Sequence, residues 1–308
     1  EMKNNLLEII DSKGNRHKLK DKNVHVLIPS MGEMGSELLA ATFRHVGVRA
    51  TAVTEPKEEE LKLGRGLSTC KECLPLQLTI GSLIKYLQKR NNTNEILVYF
   101  MPNTSGPCRF GQYSVLIKNL ISKLKLENVV VFSLNSENGY AGLGVDFVLR
   151  AWHSVIISDI LEEIRSAILV LSKDKEEDMK IFNEICKDII RSAQKDPWKG
   201  LKDTLEDSAR RLKTIKTKIP LKEAKKIALI GEIYVRRDRF SRKRLVEKLA
   251  KKDIIVKIAP IAEWIYYCDY IQKNRFNLNS TLKDRISVQV QGFFKNQYEK
   301  IIKGIFSK

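Results

Sequence analysis

Apolar residues along the chain gather in short runs separated by amphipathic stretches. Val24-His25-Val26-Leu27-Ile28-Pro29, Glu95-Ile96-Leu97-Val98-Tyr99-Phe100 and Asn128-Val129-Val130-Val131-Phe132-Ser133 each read as a strand buried on both faces, the pattern of a parallel sheet. Arg49 to Thr54 reads as a further, more mixed strand. Helical patterns lie between them: Glu37 to Arg44 after Gly32 and Gly35, Leu76 to Lys89 with Pro75 in its first turn, and Tyr113 to Leu126. The Pro-Lys-Glu-Glu-Glu stretch at 56–60 reads as a loop. Alternating strand and helix predict a doubly wound parallel sheet.

From about Gly144 to Lys218 the pattern changes to charged helical periodicity with no strand signal, broken by Pro197 and Gly200 and ended by Pro220. A second α/β unit opens at Ile227-Ala228-Leu229-Ile230-Gly231, continues through a helix near Arg242 to Lys251 and a strand at Ile254 to Ile258, and closes with helices. The expected architecture is α/β, with two Rossmann-like lobes and a helical segment between them. The first lobe spans 22–150 and carries the cysteine motifs, helices fill 151–224, and a smaller lobe covers 225–308. That last sheet looks short, as if incomplete or finished by residues from elsewhere.

The 308 residues suffice for two cores, and no apolar run approaches the roughly 20 residues that span a bilayer. The start, Glu1-Met2-Lys3-Asn4-Asn5, lacks the apolar core of a signal peptide, and Glu1 ahead of Met2 suggests an internal fragment or an added residue. Five widely spaced cysteines are not a disulfide framework, so a reducing cytoplasm is expected. The net charge of +18 raises nucleic acid as a partner, since basic chains bind polyanions through counterion release. Its lysines are interspersed with acids along amphipathic helices such as 201–218, however, which reads as solvated helix faces. The densest cationic stretch, Arg236-Arg237-Asp238-Arg239 with Arg242-Lys243-Arg244, is the best anion-site candidate.

Cysteine placement carries the chemistry. Cys70 and Cys73 lie in Ser68-Thr69-Cys70-Lys71-Glu72-Cys73-Leu74-Pro75, and Cys108 lies in Gly106-Pro107-Cys108-Arg109-Phe110-Gly111-Gln112-Tyr113. Both groups open helix-like segments, which in an open α/β fold places them near the carboxyl ends of strands, where ligands bind. Helix starts present N–H groups and partial positive charge that favour thiolates. Gly106 and Pro107 shape a turn that brings N–H groups toward cluster sulfurs, and Arg109 adds a cation there. Four readings compete: a structural zinc site, which wants a fourth ligand that only a helical His153 suggests; a thioredoxin-like dithiol, which leaves Cys108 idle; incidental cysteines; and an iron–sulfur cluster, which uses all three. Cys186 reads as core, and Cys268 as part of a packed helix. Gly139 to Gly144 fits neither dinucleotide-binding nor P-loop spacing and reads as a loop at the sheet's carboxyl edge.

Gly64-Arg65, Lys71-Glu72-Cys73-Leu74-Pro75 and Gly81, together with Tyr99-Phe100-Met101-Pro102 through Gly106 to Tyr113, resemble motifs of the 2-hydroxyacyl-CoA dehydratase superfamily. The nearer likeness is to its acyl-CoA dehydratase activase-related and double-cubane branch. Glu232-Ile233-Tyr234-Val235-Arg236 and Ala259-Pro260 with Glu263-Trp264 resemble later blocks of that branch. The resemblance implies a 4Fe–4S cluster, or a double cubane, held by three cysteines per cubane. It also implies low-potential electrons from a separate ATP-hydrolysing activase, and a second dehydratase-like subunit or a homodimer. Cys73 and Cys108 match the family ligands. Cys70 is the expected third, unless that ligand comes from a downstream region or another subunit, with Cys268 a weaker candidate. The implied activity is lyase-type dehydration or ATP-dependent reduction at an open iron. The alternatives are a non-catalytic electron-relay or structural domain of a longer polypeptide, and a nucleic-acid-binding α/β protein with incidental cysteines.

Overall fold

The computed structural model describes residues 8–11, 14–69, 71–103, 108–133, 143–273 and 282–307, without the side chains of 268, 269, 271–273 and 282–291. The chain divides into two compact units, residues 1–148 with 237–243, and residues 149–236 with 244–308.

The first unit opens with an antiparallel hairpin of β1 (Glu8–Ile10) and β2 (Arg16–Lys18), ahead of the first strand that the sequence pattern predicts. Its centre is a four-stranded, all-parallel sheet made of β3 (Val24–Ile28), β4 (Ala50–Ala52), β5 (Ile96–Phe100) and β6 (Val129–Phe132), in the order β4-β3-β5-β6. β3 and β5 are buried along their whole length, as the apolar run of β5 and the largely apolar run of β3 predict. Helices α1 (Glu33–His45) and α4 (Tyr113–Lys123) follow β3 and β5. The crossover from β4 to β5 holds two helices, α2 (Glu58–Gly66) and α3 (Leu74–Lys89). The loop expected at 56–60 is therefore the start of α2: Glu58, Glu59 and Glu60 occupy its first turn, where acids suit the helix dipole, and Glu60 Oε2 accepts the Lys57 N–H at 2.9 Å.

α2 and α3 meet backbone to backbone. A Cβ on Gly64 would stand 1.8 Å from the Gln77 carbonyl oxygen, and one on Gly81 would stand 1.7 Å from that of Glu60. Residue 64 facing 77 and 60 facing 81 define an antiparallel crossing that any larger side chain would push apart. Lys85 fastens it, with Nζ 2.6 Å from Glu59 Oε2 and 2.8 Å from the buried Glu60 Oε1. Burial pushes the Glu60 carboxyl up, but hydrogen bonds from Lys85 and from backbone N–H groups, together with the Lys85 charge, outweigh it and hold the group below its ordinary value.

α3 is pinned to the sheet at two levels. The buried Tyr99 hydroxyl donates to the Thr79 carbonyl at 2.7 Å. Near the amino ends of β3 and β5, Tyr86 Oη lies 3.2 Å from His25 Nδ1. His25 also reaches Thr51 Oγ1 at 2.9 Å and Glu95 Oε1 at 3.2 Å, and Arg49 meets the same Glu95 oxygen at 2.6 Å. Burial holds the His25 pKa below its ordinary value against the opposing pull of Glu95.

The second unit holds most of α5 (Gly144–Leu171), then α6 (Lys175–Lys195) and α7 (Trp198–Lys213), the strand-free stretch that the periodicity predicts. The Asp174 side chain caps α6 by accepting the Glu177 N–H. Cys186 is buried in α6, as expected of a core residue. A two-stranded parallel sheet follows, β7 (Lys225–Leu229) with β8 (Ile254–Ile258), flanked by α8 (Ile233–Arg237), α9 (Leu245–Ala250), α10 (Ile261–Lys273) and α11 (Leu282–Phe306). Val246, Val256 and Ile258 pack with Leu169, Leu229 and Leu249 under that sheet.

Two outcomes follow. Gly64→Ala and Gly81→Ala each destabilise the chain by about 1–3 kcal/mol or more in urea unfolding, whereas Gly66→Ala, whose Cβ would meet nothing within 4 Å, stays close to the parent. Because the folded state depresses the Glu60 pKa, its contribution is full above the ordinary carboxylate range and is lost as pH falls below that range through the folded value. Urea unfolding across that acid range should show a shallower loss of stability for Glu60→Gln than for the parent.

Candidate functional site

Cys73 is the N-cap of α3, and Pro75 occupies the first turn as its fixed φ favours. Cys108 is the N-cap of a 3-10 turn, Arg109–Gln112, that runs straight into α4. Neither N-cap receives a side-chain hydrogen bond from its own helix. Both thiols are free and exposed, and Arg109 beside Cys108 is exposed as well.

Cys73 reaches the sheet's carboxyl side by a route the sequence did not suggest. It follows α2, not a strand. The far part of α3 is anchored at the amino ends of β3 and β5 through Tyr86, and 16 residues of helix span about 24 Å. Cys73 therefore lies toward the carboxyl ends, where β5 delivers Cys108 and the start of α4. One contact joins the two helix starts: Cys73 Sγ lies 2.5 Å from the Tyr113 hydroxyl, forty residues on. Tyr113 is the first residue of α4, is buried, and stacks edge-on against Phe110 at 5.2 Å between ring centroids. It thus both packs and makes a polar contact.

The approach to Cys73 is a structured turn. Glu72 accepts the Thr69 backbone N–H at 3.0 Å and the Thr69 hydroxyl at 2.9 Å. Hydrogen bonds from its own backbone N–H, and from Thr69 and Lys71, hold the Glu72 carboxyl below its ordinary value. The Thr-x-x-Glu spacing at 69–72 is the sequence signal for this turn. Beside it opens a depression of about 550 Å³ lined by Arg65, Glu72, Leu74 and Gln77, which combines a cation, an anion and an amide.

Cys70 and Gly106 lie outside the described residues, as do the loop 139–142 and the Cys268 side chain. Among the described residues, no group of three or more His, Cys, Asp and Glu side chains stands close enough to hold a metal ion. His153, the one histidine considered for zinc, instead packs against Trp198 and Tyr298, each at 4.4 Å between centroids.

The cationic stretch 236–244 is largely engaged with protein groups. Arg236 donates to the carbonyls of Gly231 at 2.7 Å and Pro260 at 3.1 Å, and Arg239 pairs with Glu33 at 2.8 Å. Arg237 and Arg242 are buried, while Lys243 and Arg244 remain exposed. Asp238, fully buried, accepts from the Ser241 N–H and hydroxyl, and burial raises its pKa with help from the nearby Glu55.

No family model, curated protein or solved structure matches this chain. No helix among the described residues is long and apolar enough to cross a membrane. The chemistry rests on its own geometry: two exposed thiols at uncapped helix starts, one of them touching a phenol.

That geometry predicts the order of thiol reaction. Under native conditions Cys73 and Cys108 should take up iodoacetamide, mapped by peptide mass spectrometry, while Cys186 reacts only once the chain is unfolded.

Proposed function

We propose that this chain is an iron–sulfur protein whose cluster is held by Cys73 and Cys108, with Cys70 as the third thiolate. It takes low-potential electrons from a separate ATP-hydrolysing activase. The observation that carries this reading is the Cys73–Tyr113 contact, which ties the start of α3 to the helix start that Cys108 leads into. The donor set suits the group: exposed thiols, soft ligands, at helix starts whose partial positive charge favours the thiolate. A bound cluster with one open iron supplies a Lewis acid or a one-electron donor, for dehydratase-type or reductive chemistry on a small substrate. The chain's own residues hold and tune it. The Tyr113 hydroxyl, in contact with Cys73 Sγ, would donate a hydrogen bond to the thiolate form, and Arg109 contributes a cation beside Cys108. The depression at Arg65, Glu72 and Gln77, formed around the start of α3, gives a polar substrate somewhere to stand.

The resemblance to the dehydratase and double-cubane proteins supports the same reading, as does the parallel sheet, whose order places a switch point between β3 and β5. The finer architecture belongs to this proposal too, with two Rossmann-like lobes of which the second is the smaller. An electron-relay domain without its own substrate is the second reading, and the two-stranded second sheet favours it. Nucleic-acid binding is the weakest, because Arg236, Arg237, Arg239 and Arg242 face protein partners or are buried.

The test is anaerobic reconstitution with ferrous iron and sulfide. The parent chain should become brown and retain iron and acid-labile sulfide through gel filtration. Cys73→Ser and Cys108→Ser should each lose most of that iron, while Cys186→Ser keeps it. Retention of parent-level iron by both Cys73→Ser and Cys108→Ser would overturn the assignment.

A further inference from the structure

β7 is a strand without the surroundings of one. Lys225, Lys226, Ile227 and Ala228 are exposed and only Leu229 is half-buried, whereas β3, of equal length, is buried throughout. Among the described residues its only neighbour is β8. The Leu229 carbonyl accepts the Ala259 N–H at 2.9 Å, so Leu229 turns its backbone groups toward β8. Along a strand these groups alternate in direction. Lys225 and Ile227 therefore face β8 with Leu229, and Lys226 and Ala228 present N–H and C=O outward. Parallel strands normally lie inside a sheet, and a two-stranded parallel pair with one open edge is rare.

The side chains around this edge are apolar and cationic. Ile219, Leu221, Ile227 and Ile230 are exposed, Ile230 to 76%. Between 216 and 230 stand five lysines, Lys216, Lys218, Lys222, Lys225 and Lys226, against a single acid, Glu223, and all six are exposed. Pairing with β7 of a second copy would set Lys225 and Lys226 against their own counterparts, and like charges across a strand pair are destabilising.

We propose that the outer edge of β7 docks an extended strand from a partner polypeptide. That strand carries acidic residues facing the lysines and apolar residues covering Ile227 and Ile230. Main-chain bonds to Lys226 and Ala228 supply affinity, as in β-strand addition, and the lysines select the charge. This inference stands apart from the cluster and holds whether or not iron binds.

The experiment uses the whole chain and a synthetic peptide of alternating valine and threonine flanked by glutamates, with a lysine-flanked counterpart as control. Binding is read by fluorescence anisotropy and by amide hydrogen exchange. The acidic peptide should bind more tightly than the basic one and weaken with added salt. On binding, the Lys226 and Ala228 amides should slow about tenfold or more, while the Ile227 and Leu229 amides, already bonded to β8, barely change. Ala228→Pro removes an outward N–H without touching the β8 ladder, so it should keep the parent's melting temperature yet lose about tenfold in affinity. Equal binding of the two peptides, or unchanged affinity in Ala228→Pro, would refute the proposal. Protection of Lys226 and Ala228 in the free chain together with a sedimenting dimer would assign the edge to a second copy and refute it equally.

Discussion

The contact on which the first unit's chemistry depends is the crossing of α2 on α3. Gly64 and Gly81 let each helix approach the other's carbonyl groups, and Lys85 bridges to Glu59 and Glu60 across the same face. A turn between two helices would ordinarily be free to drift. Here both flanking helices are locked together, and α3 is locked in turn to the sheet through Tyr99 and Tyr86. Cys73, the residue at which that turn becomes α3, inherits its position from these distant contacts. The packing glycines therefore act on the site without touching it, and a methyl group at either one would be felt at the thiol.

The sheet supplies the other half. β5 is buried along its length, and the segment after it must emerge at the carboxyl edge. Cys108 and α4 start there because the chain has nowhere else to go. Tyr113 then sends its hydroxyl to Cys73 while its ring stays in the core formed by Ile80, Tyr99 and Ile117. A phenol with a buried ring and a polar tip suits a position where apolar packing ends and chemistry begins. The anchoring network at the opposite edge, His25 with Glu95, Thr51 and Tyr86, holds the amino ends together and leaves the carboxyl ends to carry ligands.

What the sequence made legible follows from the range of each interaction. The buried strands at 24–28, 96–100 and 129–132 were plain because continuous apolar runs have few alternatives, and Pro75 marked the start of α3. α2 was hidden because what Gly64 does lies in Gln77, thirteen residues away. The β1–β2 hairpin has only three residues per strand, too few to show periodicity. The Cys73–Tyr113 contact spans forty residues, and no local pattern announces it. The cationic stretch near 236–244 misled in the opposite sense: its density was visible, but the carbonyl and carboxylate partners of Arg236 and Arg239 were not.

β7 and β3 separate two things that sequence patterns merge. Both carry enough apolar residues to form a strand, yet β3 is enclosed by neighbours and β7 is not. Strand formation needs only local preference and one partner, which β8 supplies. Burial needs a second partner and a covering layer, and here Leu229 alone in β7 joins the apolar cluster of Val246, Val256 and Ile258. The register of the pair is held from its tip, where Arg236 bonds the carbonyls of both Gly231 and Pro260. Such a clamp keeps the pair ordered while its outer edge stays open among the described residues. Lysines on an open edge discourage indiscriminate pairing, so Lys225 and Lys226 guard β7 against copies of itself. The same charges leave an opposite-signed strand as the occupant with the least electrostatic cost, which makes edge protection and partner choice consequences of one feature.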